Sequence, residues 1–309
     1  MITVIIPLYN KASTIHRCLK SVFSQSKLPN ELIIINDGST DESLKVAKEI
    51  VGMRFGVEIK IIDQKNHGVS FTRNKGVSLA KNDFVAFLDA DDEWHEEFIE
   101  NALQVISTYK DISLVTCKHR VCDEGIGCYI PKQEFGPHSV GLINNYCKLA
   151  TDYPIVNSSK VVVNKLYFSR VGGFPEKAKV SEDLFLWIKL SECAPIAYCD
   201  KLLVTIFQAP DNSRDSRVGE IPYPITYYSS KHIDSILHDD LYLLLWSIHY
   251  KHVLGSCTTN KNEAINRILY GIKLFKCKGA LLLALLIIPR FIFEYIRIKR
   301  RYKLVKSNV

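Results

Sequence analysis

Four short apolar runs in the first third of the chain, each separated from the next by a stretch of helical periodicity, restrict the fold more than any other feature. "ITVII" (2–6), "ELIII" (31–35), "VEIKII" (57–62) and "DFVAFL" (83–88) have strand length and β-branched or aromatic content. Between them, residues 13–25, 41–51 and 69–80 carry apolar residues at helical spacing, for example Ile15, Leu19, Val22 and Phe23. Strands that alternate with helices are joined by right-handed crossovers, which predicts an α/β fold with a mostly parallel sheet flanked by helices. In such open sheets ligands bind at the carboxyl ends of the strands. The polar loops "PLYN" (7–10), "NDGSTD" (36–41), "NHG" (66–68) and "DADD" (89–92) all fall on that edge.

The last of these loops sets the chemical question. In "FLDADDEW" (87–94) an apolar strand runs directly into Asp89, Asp91 and Asp92. One reading is a helix N-terminus, where the dipole favours acids. Carboxylates at i and i+2 after a buried strand are costly to hold together unless something neutralises them. A hard divalent cation, Mg²⁺ or Mn²⁺, bound through oxygens and shared with substrate phosphates would do so. Further on, "SEDLFLWIKL" (181–190) offers a second acidic pair, Glu182 and Asp183, at the start of a helical run. Taken alone, such a pair is more often a helix cap.

Composition narrows the class. With 309 residues, 47% of them hydrophobic, the chain has the make-up of an ordinary folded protein. The beginning "MITVIIPLYN" lacks a basic segment before its short apolar run, so a cytoplasmic start is expected. Nine cysteines without a framework fit a reducing compartment and mostly buried thiols, and Cys117, Cys122 and Cys128 lack the CxxC spacing of a metal knuckle. Of the net charge of +7, residues 290–309 carry +6. A nucleic-acid binder would carry its charge on the folded body, so nucleic acid is not an expected partner.

Taken in order, these segments resemble family 2 glycosyltransferases of the GT-A fold, inverting enzymes that use nucleotide sugars, and in particular those of bacterial surface polysaccharides. The resemblance covers about residues 2–215 and lies in "TVIIPLYN", "SVFSQ", "ELIIINDGSTDES", "NHGVSFTRNKGVSLAKNDFVAFLDADD", "VGGF" and "SEDLFLWIKL". It implies that Pro7 and Tyr9 line a nucleotide pocket, with Tyr9 packing on the base, and that Asp37 accepts a hydrogen bond from the base. Arg73 would reach the nucleotide or its diphosphate, with Asn74 supporting that loop. Asp91 would ligate the metal, and Asp89 would contact the ribose or the metal through water. Asp183 would be the catalytic base. Asn36 stands where many relatives have a first Asp, and "VTIFQAPDNSRDS" (204–216) lacks the histidine of a diphosphate-holding loop, leaving Arg214 as a substitute. No QxxRW segment is present, so transfer of a single sugar, with UDP preferred as the nucleotide, is expected.

Residues 1–220 are read as the catalytic domain, 1–115 its nucleotide-sugar half and 116–220 its acceptor half, followed by a helical region at 221–309. "ALLLALLII" (280–288) falls short of the roughly 20 residues that span a bilayer. Beyond it, Phe291, Tyr295, Ile298, Tyr302 and Val305 recur at helical spacing among basic residues. Such a segment suits the anionic inner face of the cell membrane, where a glycan or polyprenyl-linked acceptor would be met. A silent nucleotide-sugar-binding scaffold is the alternative, but it should have lost part of the acid set. An oxidoreductase of Rossmann type would need GxGxxG after the first strand, and none is there.

Overall fold

A computed structural model describes residues 1–52, 56–123, 127–132, 135–136, 138–152, 155–208, 220–229, 239–259, 261–288 and 292. The N-terminal strands β1 (Ile2–Leu8), β2 (Glu31–Asp37), β3 (Glu58–Gln64) and β4 (Phe84–Phe87) alternate with helices α1 (Ile15–Phe23), α2 (Ser43–Val51) and α3 (Val69–Leu79). They form a parallel sheet in the order β3-β2-β1-β4. Alternate residues of β1 and β2 serve opposite faces. Ile5, Ile33 and Ile35 enter one core, and Val4, Ile6, Leu32 and Ile34 the other. Both faces are therefore dry, which is why these strands read as unbroken apolar runs. Each such side chain, fully buried, contributes about 1.5–3 kcal/mol.

The sheet continues beyond β4. After β5 (Glu93–Trp94) and α4 (Phe98–Thr108) come β6 (Leu114–Asp123), β7 (Gly127–Tyr129), β8 (Val140–Ile143) and α5 (Tyr146–Asp152). Then follow β9 (Val161–Asn164), α6 (Lys165–Val171), α7 (Glu182–Cys193) and β10 (Ile196–Gln208). β9 lies antiparallel between β4 and β6, and β10 runs parallel to β6. The strands β3, β2, β1, β4, β6 and β10 thus share one direction, giving the mostly parallel α/β sheet that the sequence predicts. The second half of β10 also pairs antiparallel with β5, at Val204–Trp94 and Thr205–Glu93. The loop 88–92 is consequently held by strands on both sides.

Helices α8 (Tyr223–Ser229), α9 (Asp240–Thr259), α10 (Lys261–Phe275) and α11 (Cys277–Ala280) complete the described chain. Leu241, Leu244, Leu245 and Phe275 join the same core as Ile5 and Trp187. The segment "ALLLALLII" is divided between α11 and a 3-10 turn over Leu281–Ile287. Leu282 is buried against Val253 and Ile268, whereas Leu281 and Leu283 are exposed. Among the described residues no helix is long and apolar enough to cross a membrane. The basic positions 290–309 and Arg214 lie outside the described residues.

One cysteine expectation is corrected. Cys122 and Cys128 stand opposite each other in the β6–β7 hairpin, with Cα atoms 4.0 Å apart, and are joined as a disulfide. Direct cross-strand register brings them together, which spacing alone did not signal. Of the remaining thiols, Cys18, Cys117 and Cys199 are buried and Cys193 is exposed.

Candidate functional site

The carboxyl edge of the sheet opens into a cleft of about 840 Å³. Pro7, Tyr9, Asp37, Arg73, Asp89, Asp91 and Asp183 all line it. The structure therefore gathers these seven residues into one cavity, across 176 positions from Pro7 to Asp183; Asn74 is not in its lining and Arg214 lies outside the described residues.

Its first wall is made by two loops stitched to each other. The amides of Asn10, Lys11 and Ala12 donate to the side chains of Ser39 (3.1 Å), Ser43 (2.7 Å) and Asp41 (3.1 Å). Asn10 in turn accepts from the Thr40 amide at 2.8 Å. Asp41 also takes the Ser43 amide at 3.0 Å, so it caps the start of α2 while bracing the loop. This fixes Tyr9 at the mouth of the cleft, where it is 47% exposed, an open aromatic face.

Asp37 has a local duty at the same wall. One carboxylate oxygen accepts from Gln64 (2.8 Å) and the His67 amide (2.9 Å), the other from the Gly68 amide (2.8 Å). It thereby shapes the 66–68 turn before α3, and its second oxygen retains a lone pair for a further donor.

The three carboxylates of "DADD" point three ways. Asp89 accepts from the Arg73 guanidinium at 2.6 Å. Asp91 pairs with the Lys11 ammonium at 2.7 Å. Asp92 is buried and accepts from Ser159 and from the Phe207 amide. Burial first, then the charges of Asp89 and Asp91, push the Asp92 carboxyl up to about 8. The helix-cap reading of this loop is set aside, because β5 follows it and α4 begins only at Phe98.

The opposite wall brings in α7. Arg73, its side chain 5% exposed, lies 3.6 Å from Glu182 as well as against Asp89, and 5.2 Å from the centre of the Phe174 ring. Burial would lower its pKa, but the charges of Asp89, Glu182 and Asp183 outweigh that and raise it. Asp183 is displaced upward by burial, a shift that Arg73 partly opposes. Its carboxylate accepts the Leu184 amide at 2.7 Å, and the cap position, Ser181, makes no side-chain cap hydrogen bond. Asn74, next to Arg73, exchanges hydrogen bonds with Phe174 in both directions, at 2.8 and 2.9 Å, which ties α3 to the Gly172–Gly173 turn. Gly173 is required there: at φ +72° a Cβ would sit 2.6 Å from the Asn74 oxygen.

The donor set suits a divalent ion shared with a ligand. Among the described residues no group of three or more His, Cys, Asp or Glu is placed to enclose a metal. Mg²⁺ and Mn²⁺ at phosphate sites need only one or two carboxylates, the remaining positions going to water and phosphate oxygens. Asp89 and Asp91 offer such oxygens at the cleft, each facing a cation, so the local field already calls for positive charge.

Three contributors were not assigned roles by sequence reasoning. Lys11 and Glu182 are charges whose partners lie far away in sequence. Ser159 sits in "NSSK", a stretch with no periodicity and no motif to mark it.

Residues 3–148 match the model of glycosyl transferase family 2. The glycosyltransferase YibD of Escherichia coli K12 is 36% identical over 121 residues, covering 39% of this chain and 34% of that protein. The hyaluronan synthase of Pasteurella multocida is 25% identical over 229 residues, 71% of this chain and 22% of that protein. The chain spans less than two thirds of the length of the curated relatives it matches, from 15% to 63%. Among solved structures, S. aureus TarS 1–349 in complex with UDP-GlcNAc superposes with a TM-score of 0.68 at 20% identity, covering 97% of this chain and 89% of that one. That likeness establishes the shared α/β fold, and the matched segment, just under half of the chain, is similar to glycosyl transferase family 2.

Proposed function

We propose that this protein moves a single sugar from a UDP-sugar to a hydroxyl of a glycan or lipid-linked acceptor, inverting the anomeric configuration. The observation that carries this reading is the gathering of Asp89 and Asp183 into one cleft, with the buried charge of Arg73 acting on both. Tyr9 stacks on the base, and the open lone pair of Asp37 accepts its N–H. Arg73 faces the diphosphate. A Mg²⁺ or Mn²⁺ ion held by Asp91, with Asp89 on the ribose or an ion-bound water, would stabilise charge on the departing diphosphate. Asp183 takes the proton of the acceptor hydroxyl as the new C–O bond forms and the bond to UDP breaks. Its upward displacement makes it a stronger proton acceptor than an ordinary carboxylate.

The TarS structures in complex with UDP-GlcNAc and with UDP support a uridine donor, and the hyaluronan synthase relative supports a polysaccharide product. We place the enzyme at the inner face of the cell membrane, in capsule or O-antigen assembly, with residues 1–220 catalytic and 221–309 directing it to the lipid surface. The exposed Leu281 and Leu283 and the basic positions 290–309 support that placement. The test is the melting temperature and UDP release with UDP-, dTDP- and GDP-sugars, each with and without Mn²⁺. A rise confined to UDP-sugars with metal is expected. No response to any nucleotide sugar would sink the reading.

A further inference from the structure

The third carboxylate of "DADD" and the hydroxyl it engages form a bracket under the cleft. Asp92 is 3% exposed and Ser159 fully buried. Ser159 donates its hydroxyl proton to one oxygen of Asp92, while its own oxygen accepts the Asp89 amide at 3.2 Å. The other Asp92 oxygen accepts the Phe207 amide at 2.9 Å, and the Asp92 amide returns to the Asp89 carbonyl at 3.0 Å. The Trp94 indole N–H holds the Ser159 carbonyl at 2.6 Å. Arg17 of α1 closes the ring, donating to the Asp91 carbonyl at 2.6 Å with its guanidinium 3.4 Å from the centre of the Phe207 ring.

This arrangement connects the backbone beneath Asp89 and Asp91 to the end of β10, whose Phe207 lines the other side of the cleft. A loop carrying Asp89 and Asp91 so close together would relax outward by their repulsion if its backbone were free. Asp92 also lines the cleft, but both of its oxygens are engaged, by Ser159 and by the Phe207 amide. Only a group that donates and accepts at once can serve at 159, and the hydroxyl does both.

We propose that Ser159 and Asp92 are positioning residues that set Asp89 and Asp91 for the metal-bound nucleotide, acting through the loop backbone rather than as metal ligands. This rests on the reading of Asp89 and Asp91 as the metal and nucleotide contacts. Losing such a support typically lowers metal affinity about 10–100-fold.

The experiment measures Mn²⁺ binding in the presence of UDP by electron paramagnetic resonance, and metal-free UDP binding by calorimetry, on wild type, Ser159→Ala, Asp92→Asn and the double variant. Melting temperatures identify any variant that fails to fold, and Asp92→Asn, close in shape, keeps the test open if Ser159→Ala does not. The expected result is at least tenfold weaker Mn²⁺ binding in each single variant, unchanged metal-free UDP binding, and a double variant no worse than either single one. Wild-type Mn²⁺ binding retained within twofold in both single variants would overturn the positioning role alone. A wild type without UDP-dependent Mn²⁺ binding would overturn that role together with the metal reading beneath it.

Discussion

Arg73 and Asp89 form an ion pair of 2.6 Å in which the cation is almost fully buried and the carboxylate still faces the cleft. That asymmetry makes Arg73 the electrostatic hinge of the site, since Glu182 and Asp183 depend on the same charge. Replacing it by Met leaves these acids to repel one another. The expected loss of stability in urea denaturation lies toward the low end of about 3–5 kcal/mol, because Asp89 remains partly solvated. UDP binding measured by calorimetry should be lost in the same variant, and Arg73→Lys should recover part of the stability but less of the binding.

Asp183→Asn separates chemistry from binding. Turnover should fall about 10²–10⁴-fold while UDP affinity stays within about twofold. Burial raises the pKa of Asp183 despite Arg73, so the group is protonated, and idle as a base, below a pH higher than that of an ordinary carboxylate. The kcat/KM profile of the wild type should therefore climb with pH through that displaced value and then level off. Wild-type turnover in the Asn variant would remove the assignment.

Lys11 competes with any cation for Asp91. Its ammonium is 2.7 Å away and both side chains are roughly a quarter to a third exposed, at 31% and 26%. An ion pair of that exposure is worth about 0.2–1 kcal/mol, so Lys11→Met should tighten Mn²⁺ binding to the nucleotide-free protein by up to about fivefold. UDP affinity without metal should fall, as a positive charge leaves the cleft. Titration of both variants with Mn²⁺ and UDP checks the two signs.

The C-terminal helices carry a pH dependence of their own. His249 and His252 are both lowered to about 4, by burial first, with the positive charge of Arg267 acting in the same direction. The unfolded chain takes up these protons below about 6.5, whereas the folded one resists them until near 4. Stability from these sites is complete above about 6.5 and is lost as pH falls toward 4. Melting temperature should drop across that window, and less in His249→Gln/His252→Gln.

Much of this was visible in the sequence, for a physical reason. Strands dry on both faces and helices wet on one leave periodic traces, so β1–β4 and α1–α3 appear within a few residues of their expected places. Pro7, Tyr9, Asp37, Asp89 and Asp91 were legible as positions on the cleft edge because the carboxyl ends of those strands are fixed once the sheet is, whereas Arg73 and Asp183 stand on helices. Partners brought together by tertiary structure left no such trace. Lys11 with Asp91, Glu182 with Arg73, and Ser159 with Asp92 depend on the distance between elements, which no periodicity encodes. The Cys122–Cys128 pairing is likewise a matter of hairpin register.

The antiparallel strand between β4 and β6 has a consequence for how the chain is made. β4 is complete at Phe87, but the neighbour that covers its open edge, β9, begins at Val161. A chain emerging from the ribosome must hold a parallel half-sheet with an unpaired apolar border until that later segment arrives. Such borders template association with other chains. A fragment ending near residue 115 should therefore aggregate on synthesis, while one extended beyond Asn164 gains the strand that seals it.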